Sequence, residues 1–92
     1  MILGFKDAAT RDIYDGLASK SAREVPTELW PIVRRKLDQL NRAITVEDMK
    51  APPNNRLMKY AGGYKIRVND QYRITFKFAG GNATDVMVSD TH

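Results

Sequence analysis

The sequence predicts an α+β fold: two N-terminal helices packed on one face of a small, mostly antiparallel twisted sheet of four to five strands, in a single domain spanning residues 1–92. Three observations predict it. Residues 64–78, YKIRVNDQYRITFKF, alternate apolar and polar positions on both sides of an Asn-Asp-Gln turn, the pattern of a β-hairpin with one buried face. Upstream, Leu29, Val33, Leu37, Leu40 and Ile44 recur at helical spacing and form an apolar stripe suited to cover that face. Helical and strand patterns are also segregated along the chain, which places helices on one side of a sheet.

Residues 1–5 are short and apolar and suit an edge strand. Asp7 or Thr10 can cap a first helix whose face is Ile13, Tyr14 and Leu17, and Gly16 with the polar run 18–24 weakens its end. Thr27 is a good N-cap for the second helix, and Pro31 falls in its first turn, where a missing N–H costs little. Trp30 and Ile32 widen its stripe. The run Arg34-Arg35-Lys36 resembles a nucleic-acid patch but reads as a solvated helix face balanced by nearby acids. Thr45 and Asp48 carry a capping-box spacing that predicts one short helical turn. Pro52-Pro53-Asn54-Asn55 forces a loop, residues 56–60 are a brief strand, and Ala61-Gly62-Gly63 turns into the hairpin. Residues 79–82 form a second turn, and the last strand, 83–88, ends in Ser89, Asp90, Thr91 and His92.

With 92 residues the chain has room for one small core. It contains no cysteine, which fits a reducing compartment. No apolar run approaches the roughly 20 residues of a membrane span, and the start MILGFKDAATRD lacks a signal-peptide core, so a soluble cytoplasmic protein with no membrane association is expected. The net charge of +4 is unevenly spread. Residues 1–49 hold eight Lys/Arg against eight Asp/Glu, whereas residues 50–77 hold seven (Lys50, Arg56, Lys59, Lys65, Arg67, Arg73, Lys77) against Asp70 alone. That excess around the hairpin suits a polyanion-facing surface, and it equally suits a solvated strand face whose lysines discourage edge pairing.

His92 is the sole histidine, and its spacing of two from Asp90 puts carboxylate and imidazole on one side of the last strand. One histidine, no cysteine and scattered acids give no metal cluster. Gly62-Gly63 and Gly80-Gly81 are turn glycines rather than a phosphate loop, and no serine has the partners of a triad. No cofactor is implied.

PPNNRL, the block YKIRVNDQYRITFKF and the ending DTH together resemble the HigB-type killer toxins of the RelE/ParE superfamily, over essentially the whole chain; IRxNDQxRI is the most specific part. The resemblance implies a small RelE-like toxin of a type II toxin–antitoxin system, a ribosome-dependent mRNA interferase that cleaves translated mRNA by attack of the ribose 2′-OH on the adjacent phosphate. It implies as partners a HigA-type helix-turn-helix antitoxin and the 70S ribosome with its mRNA, with operator DNA reached only through the antitoxin complex. By position, Arg73 would neutralise the phosphate, Asp90 and His92 would be the acid/base or orienting pair, and Lys59 or Tyr60 would stand where some relatives place a loop histidine. Arg56, Lys65, Arg67 and Lys77 would grip backbone phosphates, with Thr91 beside them in the tail. Two departures are the Thr91 that replaces the family's penultimate aromatic and a shorter loop before the hairpin. The alternatives are a non-catalytic gyrase inhibitor resembling ParE and an RNA-binding translation blocker.

Overall fold

A computed structural model describes residues 1–90. The first helix, α1 (Ala8–Asp15), begins where Asp7 accepts the N–H of Thr10 at 3.0 Å and ends at Gly16, whose φ of 79° is readily adopted by glycine. Of the two expected caps, Asp7 therefore serves. Thr10 lies inside the helix, fully buried, and its Oγ1 accepts the Val88 N–H at 2.9 Å. Leu17, expected on the helix face, falls beyond Gly16 and is 55% exposed.

Thr27 opens a 3-10 turn, Thr27–Leu29, that leads into α2 (Trp30–Arg42), with Pro31 in its first turn. Val33, Leu37 and Leu40 pack fully into the core beside Ile66, Ile74 and Phe76 of the sheet. Ile44 does not continue the stripe: the helix ends at Arg42, and Ile44 is 78% exposed. Arg34 links the two helices by donating from Nε to the Ile13 carbonyl at 3.1 Å.

The sheet runs β1 (Met58–Tyr60), β2 (Gly63–Arg67), β3 (Tyr72–Ala79) and β4 (Asn82–Asp90), in that spatial order and antiparallel throughout. Ile66, Val68, Ile74 and Phe76 face the helices as the alternation requires. Ala83 and Val86 are both fully buried although three residues apart, a spacing that regular pleating would split between faces. A bulge opposite Phe76, with Asp85 at φ 52°, restores the match. Residues 1–6 lie parallel to β4, with Leu3 N–H to the Ala83 carbonyl at 2.8 Å and Lys6 N–H to the Val86 carbonyl at 2.9 Å. This is the expected edge strand, reduced to two isolated bridges. No helix of the described residues is long and apolar enough to cross a membrane.

The capping box forms as its spacing predicts, at the head of a 3-10 turn, Val46–Lys50. Asp48 accepts the N–H groups of Ile44 at 2.8 Å and Thr45 at 3.1 Å. The Thr45 bond first, then that of Ile44, holds its carboxyl below the usual carboxylate range. Because the acidity is raised in the folded state, the contribution is present at neutral pH and lost as pH falls through the folded value. Acidification through the carboxylate range should therefore lower the thermal midpoint more in the wild type than in Asp48→Asn; parallel pH profiles would show that the cap carries no stability.

Candidate functional site

The β2–β3 hairpin gathers the excess charge into a candidate site. Its register pairs Arg67 directly with Arg73, and Arg73 in turn with Ser89 of β4; Lys65, Thr75 and Met87 form the next row on the same face. That face points away from the helices. Two guanidiniums placed opposite one another repel, and the loop between them offsets part of this. Asn69 Oδ1 accepts the N–H groups of Gln71 and Tyr72, at 2.9 and 2.7 Å, which folds residues 69–72 into a tight turn. The turn brings Asp70 onto Arg67 at 2.5 Å and exposes the Asn69 carbonyl to Arg73 Nη1, which also donates to the Tyr72 carbonyl at 3.0 Å. Both arginines are thus held at the loop rather than extended into water.

Asp70 reports the field there. The hydrogen bond from Arg67 first, then the charge of Arg67, holds its carboxyl below the ordinary range, and Arg73 and Arg56 lower it further. Arg56, at φ 50° after the 3-10 turn Pro53–Asn55, therefore belongs to the same cluster. β4 ends at the same loop: Asp90 pairs with Tyr72, and its Oδ2 accepts the Gln71 side chain at 2.9 Å. The register puts Asp90 on Tyr72's side of the sheet, one residue out of phase with Arg73, so the two flank the same end of the sheet from opposite faces. Thr91 and His92 lie outside the described residues.

Lys65 and Lys77 share the basic face but sit further along it. Lys65 Nζ lies 4.6 Å from the centre of the Tyr60 ring, and Lys77 pairs with Asp85 at 3.6 Å. A shallow groove of about 310 Å³ crosses this part of the face, lined by Lys6, Tyr60, Thr75, Lys77, Met87 and Ser89 among others. Lys59 sits in β1, beyond Lys65. In register it opposes Tyr64, so Met58 and Tyr60 take the basic face, and Lys59 turns to the helix side at the far end of the sheet. There it lines a larger groove of about 810 Å³ together with Leu3, Tyr60, Tyr64, Lys77 and Phe78. The register thus places Lys59 and Arg73 at opposite ends of the sheet.

A family model described as the RelE-like toxin of the type II toxin–antitoxin system HigB matches residues 3–92. The chain belongs to the HigB-like toxin family. Toxin HigB-1 of Vibrio cholerae serotype O1 is 34% identical over 96 aligned residues that span 100% of this chain and 98% of that protein. An uncharacterised protein of Haemophilus influenzae is 32% identical over 73 residues, spanning 75% of this chain and 71% of its own length. As a type II toxin, this HigB-like protein has an antitoxin as its partner.

Sequence reasoning misses two features of this HigB-like toxin. It assigns Asp70 to turn formation alone, although the i, i+3 spacing from Arg67 and its being the sole acid of residues 50–77 signal an ion pair. It places Lys36 on a solvated face, yet Lys36 is only 7% exposed. The position of Lys36, three after Val33 and four before Leu40, falls within the apolar stripe and carries the signal. Its Nζ donates to Oδ1 of the fully buried Asn55, whose Nδ2 donates to the carbonyls of Met49 and Ala51, each at 3.1 Å.

Proposed function

We propose that this HigB-like toxin is a ribosome-dependent mRNA interferase that cleaves translated mRNA through the RNA's own 2′-OH and so stops translation. The supporting observation is the in-register pair Arg67–Arg73 on the sheet face remote from the helices, at the loop where β4 ends in Asp90. In this reaction the 2′-oxygen bonds to phosphorus while the bond to the 5′-oxygen breaks. A base takes the hydroxyl proton, an acid returns one to the leaving oxygen, and cations stabilise the charge on the phosphate. Arg73 holds the scissile phosphate by its planar fork. Asp90 and His92 are the acid/base or orienting pair, an imidazole being suited to proton transfer near neutral pH. Arg56, Arg67, Lys65 and Lys77 hold flanking phosphates, Thr91 contacts the RNA, and Lys59 stabilises the developing charge in the role some relatives give a loop histidine.

The reading includes a HigA-type helix-turn-helix antitoxin, the 70S ribosome with mRNA, operator DNA reached only through the antitoxin complex, and action in the cytoplasm. Its test is mapping of mRNA 5′ ends after brief induction of the wild type and of His92→Ala. Cuts at fixed positions within translated codons, lost in the variant, are expected. Growth arrest without cuts would replace this reading with a non-catalytic toxin, and cuts that persist in the variant would remove His92 from the mechanism.

A further inference from the structure

Among the described residues, Lys36 is the only charged side chain that is buried. A methionine at this stripe position would pack without the cost of desolvating an ammonium. No carboxylate pairs with it among the described residues, and of its three donors the described hydrogen bonds use one, to Asn55. Asn55 is fixed in turn by its bonds to Met49 and Ala51, so its carbonyl cannot swing away. The surroundings are positive: burial first, then the charges of Arg35 and Arg67, makes the Lys36 ammonium easier to deprotonate than usual.

Beside Lys36 a groove of about 360 Å³ runs between α2 and the 52–54 segment, lined by Arg35, Lys36, Gln39, Arg42, Asn54 and Val68 among others, with no carboxylate in its lining. The nearby Asp38 is engaged with Arg42 at 3.1 Å. A desolvated cation with donors to spare, in a cleft without acids, is built to receive an oxyanion. The groove's wall at Val68 is the start of the loop that carries Asp70 and follows Arg67, so a polyanion lying on Arg67 and Arg73 reaches it by passing the hairpin end.

We propose that the groove beside Lys36 seats a backbone phosphate of RNA, a second phosphate site behind the hairpin loop that extends the track from Arg73 across Arg67 to α2. This rests on the RNA-facing reading above. The continuity with Arg67 favours nucleic acid over an acidic peptide, since a single strand presents phosphates in succession along its length.

The experiment uses the full chain and a 5′-fluorescein, 2′-O-methylated single-stranded RNA of mixed sequence, followed by anisotropy over a series of KCl concentrations. Arg35→Gln, at an exposed position, and Lys36→Met should each weaken binding roughly tenfold at low salt. Each should also flatten the logarithmic salt dependence by about 0.7, the share of one single-strand phosphate that is no longer neutralised. If Lys36→Met does not give a cooperative thermal transition, Arg35→Gln decides. Wild-type affinity and slope in these variants, with both reduced in Arg73→Ala, would overturn the second site and leave the toxin's RNA face standing. Wild-type binding in all three variants would overturn both. Intact RNA binding with weakened antitoxin affinity in Arg35→Gln would assign the groove to an acidic peptide and overturn the proposal as well.

Discussion

On the proposed mRNA-cleaving mechanism, Arg73→Ala is expected to abolish growth arrest and to reduce cleavage at mapped mRNA sites by at least about a hundredfold, the usual loss when one preorganised donor to a developing oxyanion is removed. The fold should tolerate it. The side chain lies on the sheet face away from the core, and its described bonds are donations from one guanidinium nitrogen to the Asn69 and Tyr72 carbonyls. Losing them costs about 1 kcal/mol each, partly offset by relief of the repulsion from Arg67 directly opposite. Arg73→Lys separates charge from shape: it keeps the cation and loses the fork, so it should recover only part of the activity. The measurement is growth after induction together with 5′-end mapping, at matched expression and thermal midpoint. Arrest of wild-type strength in Arg73→Ala would remove this residue from the site.

The largest structural effect is expected at Gly63. A Cβ there would sit 2.3 Å from the Phe76 carbonyl oxygen and 3.2 Å from Cγ of Lys77. The nearer clash is with backbone inside a paired strand, so no side-chain rotation relieves it. Gly63→Ala should destabilise the domain by about 3 kcal/mol or more, the upper end of overpacking costs. For a domain of this size that is roughly 12 °C or more in thermal midpoint. Gly62 gives the contrast: its φ is 80°, yet a Cβ there meets nothing within 4 Å, so Gly62→Ala should cost only the strain of a left-handed backbone. Equal melting of Gly63→Ala and wild type would mean that β2 shifts along β3 without cost. The sequence suggests turn glycines at both positions; the structure makes Gly62 the turn residue and Gly63 the first residue of a strand.

These two cases show what can be read in advance. The period-two alternation of residues 64–78 carries the hairpin, its buried face and its basic face together, because one register decides all three. Helical spacing likewise gives α2 up to Leu40. It fails at Ile44, since spacing does not mark where a helix stops without a glycine to stop it. The bulge at Asp85 is hidden for a different reason: it shows only as the odd interval between two buried residues, and burial is known after folding. At the site, Arg67 and Arg73 follow from the pattern, whereas Lys59 depends on the pairing of a three-residue strand, which a shift of one residue reverses. Lys36 is obscured because a basic residue is habitually assigned to the surface, even where its spacing says interior.

The pairing of residues 1–6 with β4 bears on how the toxin comes into being during synthesis. Leu3 finds its backbone partner at Ala83, and Thr10 its donor at Val88, so segments made early wait for one made some eighty residues later. Until β4 has emerged, the Thr10 hydroxyl and the open side of β3 lack those native partners. Pairings at this sequence separation carry a loop-closure cost that is met late, which favours one concerted collapse over stepwise growth. A nascent chain paused before β4 would therefore hold the Arg67–Arg73 hairpin without its Ser89 neighbour or Asp90, and the ribosome making it would carry an unfinished poison.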